Sequence, residues 1–238
     1  TSNGGGGHSW ANTYVDVPTD GYQRWTIPKT GTYRISARGA HAGYSDSPYD
    51  YMRGCTVQAD YDLVMGEKLI IAVGQGVPNY QGDHCNGASG ASWVAYGNDI
   101  ATAIMLLVGA GAGGDTSDGS TKTQNSTNLN RTVTNIGGAT GVETTPINTN
   151  AITGYGATNS TYPNSGGYMS AGGSVGGTGG GGFRSGNLVG GTRSNSTAGY
   201  GGFGGASGGK DEYGSAGGGF TGAYGQDNTS TTGHGSSF

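Results

Sequence analysis

Up to Val108 the chain alternates apolar and polar positions in short runs parted by turn residues, and beyond Val108 that pattern gives way to glycine. Alternation and β-branched content predict strands over 15–17, 24–27, 32–37, 56–61, 68–73, 92–96 and 103–108. In the third, Tyr33, Ile35 and Ala37 share one face and Arg34, Ser36 and Arg38 the other, the pattern of a half-buried outer sheet. Pro28-Lys29-Thr30-Gly31 and Met65-Gly66-Glu67 supply turn chemistry between strands, and no segment carries a convincing helical period. Strands at this spacing predict an all-β chain built as an antiparallel, jelly-roll-like sandwich.

The second part needs a different account, because 38 of the 54 glycines follow Val108. A polar excursion over 116–153 leads into a tract from Gly154 onward, where glycine pairs and quartets are punctuated by single aromatics. Flexible linkers share this composition. Collagen does not, since glycine is not every third residue and there are only 6 prolines. The ordered alternative is a layer of extended three-per-turn helices of the polyproline II type built from glycine. Such helices have no internal hydrogen bonds, so each buried N–H and C=O must find a partner on a neighbouring helix, and only glycine lets backbones come that close. Tyr155, Tyr162, Tyr168, Phe183, Tyr200, Phe203, Tyr213, Phe220 and Tyr224 would then seal the edges, a use a free linker does not have. The organisation expected is an N-terminal arm over 1–14, a β-sandwich over 15–108, and a glycine-rich layer with polar loops over 109–238, the last two forming one compact unit.

Leu, Ile, Val and Phe total only 31 of 238 residues, a content typical of disordered chains. The formal charge is only -4, however, so electrostatic swelling is absent. With 11 Lys+Arg against 15 Asp+Glu there is no basic footprint for a nucleic acid. The longest apolar run, 103–108, is far short of the ~20 residues that cross a bilayer. The polar, glycine-rich start is unlike a signal peptide, and the chain reads as a segment of a longer protein.

Cys55 and Cys85 enclose a loop whose closure by a disulfide would contribute roughly 3–4 kcal/mol. The alternative is two buried thiols. Neither has the short-spaced partner of a zinc site. His8, His41, His84 and His234 have no metal spacing, and Asp46, Asp50, Asp60 and Asp62 read as loop or strand-edge acids for which Ca2+ is the one conceivable ion; no metal is assigned. Gly109-Ala110-Gly111-Ala112-Gly113-Gly114 fits G-x-G-x-x-G after a strand, but no helix start follows. It reads as the start of the glycine layer, and no cofactor is expected. No Ser, His and acid set forms a nucleophile motif, so the chain reads as non-enzymatic. Sequons at Asn125, Asn130, Asn159, Asn195 and Asn228 are near chance in so polar a chain.

Several segments carry a family resemblance. The run from Trp25 through Ile27-Pro28-Lys29-Thr30-Gly31-Thr32-Tyr33 to Gly39-Ala40 resembles the "F-x-V-P-x-T-G-x-Y-x-I-x-A-x-G-A" opening of the glycine-rich domain of the anaplastic lymphoma and leukocyte receptor tyrosine kinases. Residues 69–76 resemble that family's "L-x-I-x-V-G-Q-x-G", 88–96 its "G-G-G-G-S-F-V" with Trp93 in place of Phe, and 105–114 its "L-L-V-A-G-G-G-G-G". Gly219-Phe220-Thr221-Gly222 and Gly235-Ser236-Ser237-Phe238 are similar to its closing motifs. The resemblance implies a jelly roll like that of tumour necrosis factor with an inserted layer of polyglycine II helices; the tip adhesins of some phage long tail fibres resemble the layer alone. Glycine runs diluted by Ser, Thr and Asn, with no kinase motif and no cysteine-rich module, point away from a eukaryotic receptor and towards a bacterial or viral surface protein.

The expected function is therefore an extracellular, cell-surface or virion-associated recognition module, a fibre-tip adhesin binding a host glycan or protein. An extracellular receptor domain is the alternative, and a structural spacer or coat a third. Contact is expected from loops joining the glycine helices, at Tyr155, Tyr162, Arg184, Arg193 and Tyr213, since Tyr and Arg offer ring faces and forked donors. The resemblance to jelly rolls and fibre tips implies a homotrimer.

Overall fold

The computed structural model describes residues 11–41, 54–77, 87–112, 132–135, 174–175, 177–178, 183, 190–192, 202–206, 208 and 217–219. They form an all-β structure. One short helix, α1 (Ala11–Tyr14), leads into β1 (Val15–Thr19), β2 (Tyr22–Thr26), β3 (Gly31–Arg38), β4 (Thr56–Leu63), β5 (Lys68–Ala72), β6 (Ser92–Tyr96) and β7 (Ile104–Gly109). The seven strands expected from alternation are these seven, each displaced by no more than a few residues at its ends. The single turn of α1 and three later strands, β8 (Thr132–Asn135), β9 (Ser174–Val175) and β10 (Gly177–Thr178), carry no such signal.

Two main sheets face each other. The first has the order β1-β2-β5-β6-β7 and is antiparallel throughout. The second has the order β3-β4-β8, with β3 and β4 antiparallel and β8 parallel to β4, from Thr56 opposite Thr132 to Ala59 opposite Asn135. β9 and β10 form a separate antiparallel pair.

Both faces of the five-stranded sheet are covered, which explains why β5 and β6 read as nearly continuous apolar runs rather than alternating ones. Leu69, Val94 and Leu107 pack on Ala37, Val57 and Leu63 of the second sheet. Tyr22, Ile70, Ala72, Trp93, Ala95, Met105 and Val108 face the other way, against Phe183 and Phe203 from the glycine-rich half. Phe183, expected at the edge of the glycine layer, is fully buried at its boundary with the sheet, 5.5 Å from the Tyr22 ring and 5.7 Å from Trp93. β3 keeps the pattern read from the sequence: Tyr33, Ile35 and Ala37 turn inward while Arg34, Ser36 and Arg38 are exposed.

A bulge ties the layers together. Val94 pairs with Leu107 and Ala95 with Met105, which leaves Leu106 as the extra residue of β7. Its carbonyl accepts the Tyr61 hydroxyl from the facing sheet at 2.8 Å.

The sandwich has two unlike ends. At one end β2 passes to β3, β4 to β5 and β6 to β7 through tight connections. Gly66, at φ +92°, bonds through its N–H to Ile27 O, and Val64 N–H donates to Glu67 Oε2 at 2.7 Å. Gly97 N–H reaches Lys68 O at the same end, and Asp99 accepts the Ala101 and Ala103 amides to close the β6–β7 connection. The chain also enters β1 from here, since Val15 lies opposite Trp25. β3, β5 and β7 all finish at the opposite end, where β4, β6 and β8 begin.

Candidate binding platform at the glycine-rich end

Beyond the last rungs of the sheets, short segments rich in glycine and alanine continue from the strands and stack side by side. They comprise 39–41, 54–55, 74–76, 88–91 and 110–112 from the strand ends, joined by 190–192, 202–206 and 217–219 from the distal half. They belong to no strand, yet their backbones are bonded to one another throughout. Gly39 N–H donates to Cys55 O, Cys55 N–H to Ala110 O, Gln75 N–H to Phe203 O, and Gly191 N–H to Ala206 O.

The segment 88–91 lies at the centre. Its Ser89 N–H donates to Ala112 O, Gly90 N–H to Gln75 O and Ala91 N–H to Gly204 O. Its carbonyls accept from three directions as well: Ala88 O from Gly202, Ser89 O from Gly218 and Gly90 O from Ala40. Four consecutive residues thus address five different segments. A strand in a sheet has neighbours on two sides only, because its groups alternate within one plane. Here the bonding direction turns about the segment axis: three consecutive amides address three different segments, and three consecutive carbonyls do the same.

Such spacing leaves no room for side chains. A Cβ on Gly90 would lie 1.7 Å from Phe203 O, and one on Gly111 would lie 2.0 Å from Ser89 O. The obstacle is backbone in both cases, which cannot rotate away. Ser89 is the polar exception. It is fully buried, its Oγ accepts the Ala112 amide at 2.7 Å, and its own proton has Ala40 O at 2.7 Å with Ala112 O a longer alternative at 3.0 Å. Ala40 O also accepts the Ala112 amide at 3.3 Å, so the hydroxyl and the two backbones form one compact bonded group.

The lattice is also clamped to the sandwich. Phe203 lies over the β1–β2 turn, where a Cβ on Gly21 would meet its ring at 2.2 Å, and Tyr22 Oη donates to Phe183 O at 2.9 Å. Burial pushes the Tyr22 hydroxyl pKa well above the ordinary tyrosine value.

The G-x-G-x-x-G segment sits inside this arrangement. Gly111 N–H donates to Gly218 O, and Ala110 and Ala112 are buried, so its described amides face protein backbone. Asp60 and Asp62 lie on the outer face of the second sheet. Asp60 takes the Arg34 guanidinium through two bonds of 2.8 Å, which hold its carboxyl below the usual range, and Asp62 accepts the Thr32 hydroxyl at 2.6 Å. Among the described residues no group of three or more His, Cys, Asp and Glu is placed to hold a metal ion. Cys55 is half-buried at the start of β4; its expected partner Cys85 lies outside the described residues, as do Asp46, Asp50 and the five sequons.

Tyr155, Tyr162, Arg184, Arg193 and Tyr213 also lie outside the described residues. The described residues show where the connections begin. The chain between His41 and Gly54, between Gly76 and Ala88, and between Ala112 and Thr132 leaves from and returns to the glycine-rich end. Sequence reasoning missed the contribution of the first half to this lattice, above all 88–91. Pairs and quartets of Gly and Ala there are too short to register as a pattern, and Ser89 looks like any loop serine. No protein-family model matches the chain.

Proposed function

We propose that the chain is a non-enzymatic recognition module exposed on a cell or virion surface, the tip of a bacterial or viral fibre that binds a host-surface glycan or protein. The observation that carries this reading is the polarity of the fold. The chain enters the sandwich at the tight-turn end, and the connections from His41 to Gly54, Gly76 to Ala88 and Ala112 to Thr132 begin and end at the opposite end, where the hydrogen-bonded lattice lies. A rigid base with several long connections rooted on one side suits a display platform, because such a scaffold fixes loops without supplying side chains of its own.

The bonds that turn about 88–91 support reading the lattice as polyglycine II helices, for which bonding in all directions about the axis is the expected geometry. Two facing sheets with the glycine segments on the outer side of one support the jelly-roll reading in the same way. The segments that resemble the receptor glycine-rich domain favour a second reading, an extracellular receptor domain whose ligand is a protein.

Alanine substitution at Tyr155, Tyr162, Arg184, Arg193 and Tyr213 tests the assignment of contact to the loops. A contact residue loses binding to host cells or isolated glycans with its melting temperature unchanged. If every substitution instead lowers the melting temperature while the folded fraction binds as before, the loop assignment is wrong.

A further inference from the structure

Among the described residues no strand lies beyond β3 in the second sheet. This strand lies at its margin with β4 on one side only, and among the described residues none of Gly31–Arg38 makes a backbone bond beyond β4. The register identifies the open groups. Past Arg38 the Gly39 N–H still donates to Cys55 O at 2.9 Å, although the Cys55 N–H has turned to Ala110 O, and this one bond gives the phase of the ladder: the Gly39 N–H points towards β4. Strict alternation along an antiparallel ladder then turns the N–H and C=O of Gly31, Tyr33, Ile35 and Ala37 towards β4, and those of Thr32, Arg34, Ser36 and Arg38 away from it. An eight-residue edge of this kind is a template for another strand.

We propose that β3 pairs antiparallel with β3 of a second copy of this chain, about a twofold axis through Ile35. The sequence of the strand selects this register. Centred on Ile35, Thr32 stands opposite Arg38 of the partner subunit and Arg34 opposite Ser36 of the partner subunit. Every outward amide and carbonyl of these residues then meets its complement, and no like charges face each other. Centring on Arg34 would set Arg34 against Arg34 of the partner subunit, and centring on Ser36 would set Arg34 against Arg38 of the partner subunit; both oppose cations. Within each copy the Arg34 charge is already countered by Asp60. On the inward face Ile35 meets Ile35 of the partner subunit in the closer, non-hydrogen-bonded geometry, covering Tyr33 and Ile35 where the edge leaves them half-buried.

The result is a closed, isologous dimer in which two three-stranded sheets become one of six strands. It is an alternative to the threefold assembly implied by the fibre-tip resemblance, and it does not depend on which ligand the loops bind.

Sedimentation of the full chain at tens of micromolar tests the proposal, with Ser36→Pro, Ser36→Lys and Ser36→Ala alongside. Proline at 36 removes one outward N–H and leaves the β4 ladder whole, and lysine there puts a second cation opposite Arg34 of the partner subunit. The expected result is a dimer for the parent and for Ser36→Ala, with roughly tenfold or greater weakening of dimerisation in the other two and no change in the melting temperature measured at dilution, where all are monomeric. Should Ser36→Pro fail to fold, Ser36→Lys alone decides. A monomeric or trimeric parent, or a dimer that Ser36→Lys leaves as tight as before, overturns the proposal.

Discussion

Tyr22 donates its hydroxyl proton to the carbonyl of Phe183, 161 residues further along the chain, and the two rings meet edge to face at 5.5 Å. This pair joins the second strand of the sandwich to the glycine-rich half through both polar and apolar contact. Phe183→Ala is expected to cost about 3–5 kcal/mol, since it empties a fully buried site between Tyr22 and Trp93. Tyr22→Phe is expected to cost about 1 kcal/mol for the lost hydrogen bond. Denaturant melts followed by Trp fluorescence measure both. A silent Phe183→Ala would mean that the two halves are not packed together.

Ser89→Ala is expected to destabilise by about 1 kcal/mol, because the Ala112 amide and the Ala40 carbonyl each lose a short bond at 2.7 Å and keep only the longer one of 3.3 Å between them. Thermal melts at matched concentration provide the check. A change within experimental scatter would show that water reaches these groups.

Two glycines should respond in opposite ways. Gly90→Ala drives a Cβ into the Phe203 carbonyl and is expected to cost several kcal/mol or prevent folding, whereas Gly31→Ala meets nothing within 4 Å and should stay within about 0.5 kcal/mol of the parent. Comparable melting temperatures for the two variants would contradict the close approach at 88–91.

The alkaline limb of stability should carry a tyrosine signature. Burial raises the hydroxyl pKa of Tyr22 and of Tyr61 above the ordinary value of 10.0. Folding therefore favours their neutral form. That contribution is fully present below the ordinary value and is lost as pH rises through the raised folded values. Ultraviolet titration should show Tyr22 and Tyr61 ionising only together with unfolding. Ionisation of all tyrosines in one step with the fold intact would contradict their burial. On the acid side, Asp16 and Asp60 are held below the ordinary carboxylate value, chiefly by hydrogen bonds from Arg24 and Arg34. Their small contribution is present above that value, fades as pH falls through the lowered folded pKa values, and weakens with salt because both pairs are exposed.

The sandwich was legible in the sequence because a strand with one covered face alternates, as β3 does from Tyr33 to Arg38. β5 and β6 were found by β-branched and aromatic content, but nothing in them says that both faces are covered or what covers the second. That depends on Phe183 and Phe203, more than 80 residues distant in sequence. β8 was not legible, since Thr132–Asn135 sits in a polar excursion and its pairing with β4 is parallel and remote. The lattice was half legible. Glycine composition pointed to close backbone packing in the distal part, yet the segment that bonds to five others is Ala88-Ser89-Gly90-Ala91, whose sequence shows no periodicity over four residues. The loop residues chosen for binding rest on side-chain chemistry alone, which cannot tell a contact from an edge seal.

The central claim is that the glycine-rich segments form a fixed, backbone-bonded base for the loops, and amide hydrogen exchange tests it most directly. The amides of Ser89, Gly90, Gly111, Gly202 and Gly218 each donate to a backbone carbonyl. They should exchange as slowly as those of β5 and β6, in one cooperative opening with the sandwich. Exchange of these amides at the rate of an unfolded chain, while β5 and β6 stay protected, would contradict the account.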